Sequence, residues 1–170
     1  MASYRNIPWR TVEVIRLCKT LAEKNSLFDG RFLKSMRVEP LPHPLITKAD
    51  RQLLFRVTAD PTMCNLLGVL HTGALGTLLH YSTTITVMTF DKRNRVLVPA
   101  EASLSFMSSV KAGEEVLILS EIDRIGKSIA FSHVWVYSTD SKCLAHGKFM
   151  NTLTENTYEI GGKYSHPFVS

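Results

Sequence analysis

Residues 65–90 read NLLGVLHTGALGTLLHYSTTITVMTF, and the fold turns on how that run is interpreted. From Gly73 it meets neither a proline nor a charged residue until Asp91. Apolar or small residues at Ala74, Leu75, Leu78, Leu79, Ser82 and Ile85 share one helical face. The β-branched residues crowding positions 83–89 would suit a strand on propensity alone. Length and unbroken continuity favour a helix throughout. A helix so poor in charge is expected to be wrapped by other elements rather than laid on a surface.

What surrounds the run supplies the wrapping. Downstream, four stretches alternate in polarity: residues 96–107, 116–124, 128–137 and 143–153. Lys111-Ala112-Gly113-Glu114, Ile125-Gly126-Lys127 and Thr139-Asp140-Ser141-Lys142 separate them as turns. Upstream, residues 52–58 read as a strand, and residues 32–38 as another, stopped by Pro40, Pro42 and Pro44. The N-terminal stretch places Val14, Leu17, Cys18 and Leu21 on one face, which predicts an amphipathic helix capped by Thr11. Its Arg5, Arg10, Arg16 and Lys19 also give it a faint likeness to a mitochondrial presequence. The expected class is α+β, a curved antiparallel sheet wrapped around a long central helix. Residues 1–30 would form an N-terminal helix packed on the domain, 31–154 the domain itself, and 155–170 a loosely held tail. One long strand should remain an edge, and an open edge invites a second copy, as a homodimer or a dimer of dimers.

Bulk properties narrow the function. The 170 residues suit one domain, and 45% hydrophobic against 21% charged is ordinary globular composition. A net charge of +5 suits an anionic small molecule or a phosphate-bearing one, and is too diffuse to argue for nucleic acid. Three widely spaced cysteines (Cys18, Cys64, Cys143) read as reduced thiols in a cytoplasmic or mitochondrial protein, not a secreted one. No run has the length of uninterrupted apolar sequence a membrane span needs. The six histidines and three cysteines lack ligand spacing for a metal.

Several motifs then resemble one family. Asn65-x-x-Gly68-x-Leu70-His71-x-Gly73-Ala74 ahead of a buried helix is similar to the signature of hotdog-fold acyl-CoA thioesterases, in the branch of the phenylacetate-pathway enzymes and the animal thioesterase superfamily members. Residues 103–107 with the turn 111–114, the hairpin 125–131 and Ala145-His146-Gly147 resemble that branch's later strands in order. The resemblance implies a hotdog fold and hydrolysis of an acyl-CoA thioester to acid and free CoA. CoA would be part of the substrate, with no separate cofactor.

Thioester hydrolysis needs donors aimed at the oxygen that gains charge, and a group that orients or deprotonates water. The first turn of a buried helix offers backbone N–H groups and a positive dipole end. Thr72 and Gly73 sit there, Asn65 can donate its amide, and His71 can support the amide or the departing thiolate. In the resembled enzymes a carboxylate two turns along, from the facing subunit, handles water. His80 occupies that position here. An imidazole with an ordinary pKa of about 6.5 can act as a base but not as the carboxylate does. His80 is therefore either the base or the mark of a non-catalytic acyl-CoA-binding or partner-binding protein. Glu101 is the only nearby carboxylate, and a Ser of some members falls at Pro99. The resemblance also implies basic residues near CoA phosphates, for which Lys111 and Lys127 are the candidates. A hotdog hydratase is a third reading, disfavoured because no Asp lies near His71. His71 as a helix cap and His80 as a core residue bonded to Ser82 or Thr84 are the structural alternatives.

Overall fold

A computed structural model describes residues 7–24 and 29–157. Its centre is α3 (Thr72–Phe90), one unbroken helix of 19 residues. Three of the hydroxyls in and beside the stretch 83–89 are satisfied by the helix itself. Ser82 Oγ donates to the Leu78 carbonyl at 2.7 Å, Thr83 Oγ1 to that of His80 at 2.9 Å, and Thr86 Oγ1 to that of Ser82 at 2.7 Å. Bonded in this way, polar side chains can be buried beside Leu75, Leu78, Leu79 and Ile85 with little desolvation cost.

Six antiparallel strands curve around that helix: β1 (Met36–Val38), β2 (Gln52–Thr58), β3 (Arg95–Phe106), β4 (Glu115–Ile125), β5 (Ile129–Ser138) and β6 (Cys143–Thr157). Their order is β1-β2-β4-β5-β6-β3, so the 12-residue β3 is an edge strand. Inward-facing Val116, Ile118, Val134, Val136, Ala145 and Phe149 meet α3 in the main core. This is the hotdog arrangement expected from the sequence. β6 runs on to Thr157, three residues past the point where the domain was expected to end; the rest of the tail lies outside the described residues.

The N-terminal region differs from expectation in two places. Residues 29–35 form a short helix, α2 (Asp29–Ser35), and only Met36–Val38 is strand. Phe32, Leu33 and Met36 are buried while Arg31, Lys34 and Arg37 are exposed. That spacing is helical, not alternating. The first helix, α1 (Trp9–Lys24), begins two residues before Thr11, with the Pro8 carbonyl accepting from the Thr11 and Val12 amides. Thr11 is buried in its first turn instead of capping it. Val14, fully buried, joins α1 to the core that α3 organises.

α1 also fastens the C-terminal end of α3. Arg10 donates from Nε to the Thr89 carbonyl at 2.6 Å and from Nη2 to the Asp91 carbonyl at 2.6 Å and to Asn94 Oδ1 at 2.5 Å. A cation placed on orphan carbonyls at a helix C-terminus satisfies them and complements the dipole. Just beyond, the buried Asp91 and Arg95 side chains form two hydrogen bonds of 3.0 and 3.1 Å. Burial alone would raise the Asp91 carboxyl, but hydrogen bonds from Arg95 outweigh it and hold the group below the usual carboxylate range. A carboxyl lowered on folding adds stability that is present above about pH 4 and lost as pH falls through its folded-state value.

On the convex side of the sheet, residues 39–51 form a strap. Leu45 and Ile46 cover Leu54, Leu117 and Leu119, with Trp135 and Tyr137 packed alongside. Gln52 pins the strap by accepting the Thr47 and Lys48 amides at 2.9 and 2.8 Å while donating to Glu121 at 2.7 Å. Arg10→Met should lower the unfolding free energy by about 2 kcal/mol, with the denaturant slope unchanged. A loss below about 0.5 kcal/mol, the range of ordinary surface changes, would show that the clasp is not needed.

Candidate active site at the amino end of the central helix

The segment leading into α3 is held from several sides. Asp60 caps a single 3-10 turn, Pro61–Met63, by accepting from the Thr62 amide at 2.8 Å. A tight turn follows, in which the Asn65 amide bonds the Val69 carbonyl at 2.8 Å and the Gly68 amide bonds the Asn65 carbonyl at 2.9 Å. Gly68 has φ +70°, a conformation glycine adopts without steric cost. The Leu70 amide reaches the Val110 carbonyl at 2.7 Å and the His71 amide reaches that of Met63 at 2.9 Å. Within this turn Asn65 Oδ1 accepts from the Leu67 amide at 2.9 Å and, more weakly, from that of Val69 at 3.4 Å. Its carbonyl end being used, Asn65 is left with Nδ2 as a donor that has no partner among the described residues.

His71 is the N-cap of α3: its Nδ1 accepts from the Gly73 amide at 3.0 Å. A ring nitrogen that accepts there belongs to the neutral imidazole, and the proton lies on Nε2. A Cβ on Gly73 would sit 3.1 Å from His71 Nδ1, so the small residue makes room for the cap. The cap takes Gly73's N–H. The Thr72 amide is left as the backbone donor at the mouth of the helix, with no partner among the described residues.

Asn65 and Thr72 open onto one cleft of about 280 Å3, walled by Val69, Leu70, Leu75, Phe106 and Met107. Ligand pockets for drug-sized molecules run to roughly 300–1,000 Å3 and enclose most of their ligand. This one is smaller, and two of its apolar walls, Phe106 and Met107, are exposed.

The remaining candidates lie apart. His80 is eight residues beyond Thr72, which at the helical rise puts about 12 Å between them. Its ring packs against Phe149, centroids 6.0 Å apart, and against Tyr81 at 5.4 Å. Ser82, one hydroxyl considered for it, is committed to the Leu78 carbonyl. Lys111 adjoins the cleft, its backbone bridged to Val69. Lys127 sits at the other end of α3, its carbonyl accepting from Arg95. Glu101 pairs with Met150, one residue out of phase with Ala102 opposite the inward-facing Phe149, so it lies on the convex face and away from the cleft. His133 and His146 also occupy that face; His133 Nδ1 lies 2.8 Å from Asp123. Phe149 is core, whereas Phe131 and Trp135 are on the outer surface. Sequence reasoning missed Phe106 and Met107 as cleft walls. The signal was available in two bulky apolar residues ending a strand read as half-buried.

The thioesterase superfamily pattern matches residues 67–145, from the turn through the start of β6. Mouse acyl-coenzyme A thioesterase 13 is 30% identical over 110 residues, covering 64% of this chain and 78% of that protein. The chain belongs to the thioesterase superfamily. Zebra fish thioesterase superfamily member 2 shares the fold at a TM-score of 0.70 and 23% identity, over 83% of this chain and 96% of that one. A Streptococcus pneumoniae hypothetical thioesterase determined with coenzyme A has the same fold at a TM-score of 0.62 and 15% identity, over 74% of this chain and 90% of that one. For this superfamily member, no described helix is long and apolar enough to cross a membrane.

His71→Ala should lower stability by about 1 kcal/mol, the typical worth of an N-cap, read from chemical unfolding. Unchanged stability would mean that the imidazole does not cap α3 in solution.

Proposed function

We propose that this protein hydrolyses acyl-CoA thioesters in an active site shared between two copies. The observation that carries the reading is the division of amides at the head of α3. His71 consumes Gly73's N–H, and the Thr72 N–H and Asn65 Nδ2 remain as donors beside one cleft. A thioester oxygen seated between them would meet two donors and the positive end of the dipole as it gains charge.

The base comes from a second copy. His80 stands about 12 Å along its own helix from its own Thr72, too far to serve the same carbonyl. The exposed edge β3 can pair with its counterpart, and such pairing would bring the helix of one copy against the cleft of the other. His80 of the second copy takes a proton as water attacks the thioester carbon. The new C–O bond forms, the C–S bond breaks, and the proton passes from the imidazole to the departing thiolate, giving acid and CoA. Lys111 beside the cleft and Lys127 of the second copy are the cations for CoA phosphates. The compartment is one that contains acyl-CoA, cytoplasm or mitochondrion.

The competing reading is a hotdog protein that binds acyl-CoA or a protein partner without cleaving it, favoured by an imidazole where the resembled enzymes carry a carboxylate. Thiol release from a panel of acyl-CoAs separates the two. Steady release is expected, and CoA binding without release on every substrate would favour the binder. Thr72→Pro is the sharpest variant, since proline is accommodated at the first helical position and His71, at ψ 134°, already has the conformation that precedes proline. It deletes one N–H and should reduce kcat roughly 100-fold or more while the fold persists. His80→Ala should lower kcat by a similar factor, and retention of the parent rate in either would remove that group from the mechanism.

A further inference from the structure

The cleft at the head of α3 has two unlike ends. Phe106, Met107, Ser108, Ser109 and Val110 line it in sequence, from the end of β3 into the loop that follows. Ser108, Ser109 and the adjoining Lys111 make one end polar, the side by which a charged CoA can leave. Phe106 with Leu75 makes the other end apolar. That end leads back along both elements. Gly76 lies one helical turn beyond Thr72 on the same face of α3, and Leu104 is the next residue beyond Phe106 on the same face of β3.

Leu104 fills that end. A Cβ on Gly76 would come 3.2 Å from its Cδ1, and one on Gly147, its partner on β6, would collide with its Cδ2. Its two methyl groups thus occupy the places where α3 and β6 carry no side chain. Leu104 packs on the main core and yet is only half-buried, so part of its side chain stays open. Past it, the same face of β3 continues with Ala102, which is exposed and paired with Phe149, on which the His80 ring packs. Leu104 is therefore the last large side chain of β3 before the space over α3 widens.

We infer that Leu104 is a specificity-determining residue: it closes the apolar end of the cleft and limits how far an acyl chain can run along α3. The inference rests on the proposed thioesterase reaction and adds to it the residue that selects among acyl chains. A carbonyl oxygen between the Thr72 N–H and Asn65 Nδ2, with the sulfur toward Ser109 and Lys111, sends the chain along the line from Thr72 to Gly76. Each methylene laid on the apolar wall adds binding. One that meets Leu104 has to turn out into water, and adds none.

The test compares Leu104→Ala, Leu104→Met and Gly76→Ala with the parent, measuring thiol release from hexanoyl-CoA and palmitoyl-CoA and thermal unfolding of each full-length chain. The ratio of kcat/KM for the long chain to that for the short one should rise about tenfold in Leu104→Ala. It should fall about threefold in Gly76→Ala, whose added methyl presses on Leu104 while alanine favours the helix. Leu104→Met, close in volume, should keep the ratio within about twofold. A parent-like ratio in a folded Leu104→Ala would overturn the inference alone; where that variant does not fold, a parent-like ratio in Gly76→Ala overturns it. No thiol release by the parent on either substrate would overturn the thioesterase reading. The ratio of dissociation constants for the same two acyl-CoAs, read by titration calorimetry, then decides the role of Leu104 in the same sense.

Discussion

A nearly chargeless helix in water has to be enclosed, and enclosing α3 determines most of this structure. Its 19 residues carry no ionised carboxylate, lysine or arginine, so nothing on its length favours exposure. The curved sheet covers it on one side and α1 and α2 pack from another. The two ends cannot be treated in that way, because each leaves backbone groups unbonded. At the C-terminal end Arg10 takes the orphan carbonyls, and the buried Asp91–Arg95 pair closes the turn beyond them. At the N-terminal end the solution is incomplete, and that incompleteness is the proposed active site.

Only one cap is made there. His71 takes the Gly73 amide, Asn65 folds its carbonyl end into its own turn, and the Thr72 amide and Asn65 Nδ2 are left facing a cleft. Both are fixed by bonds made elsewhere in the same segment, so they need little reorganisation when a carbonyl oxygen gains charge. In the proposed reaction His71 contributes by arranging the donors. The cleft is bounded by exposed apolar side chains and lacks any ionised group of the helix, which is why the proposed reaction draws its imidazole from another copy.

The architecture could be read from the sequence because its signals were long. The uncharged run from Gly73 favoured a helix by its length and continuity, and the strict alternation of residues 129–137 and the turn at Lys111–Glu114 marked the sheet. Residues 32–38 misled because a short apolar run fits either period, and only packing of Phe32, Leu33 and Met36 on one side decides it. Thr11 looked like a cap, yet the helix starts at Trp9, before it. The site was legible as a set of residues and not as a division of labour. Sequence names Asn65, His71, Thr72 and Gly73 but not which amide is consumed, since that depends on the 3.0 Å contact inside the cap. The side of the sheet taken by Glu101 depended on the register of β3 with β6.

The proposed site joins one chain's helix head to another chain's His80. Mixing two inactive variants, Asn65→Ala and His80→Ala, under conditions that exchange subunits tests it directly. Half of the dimers would then be mixed, each with one intact site of two, and thiol release should recover to about a quarter of the parent rate. If the mixture stays as inactive as either variant alone although mixed dimers have formed, the site lies within one chain and the account is contradicted.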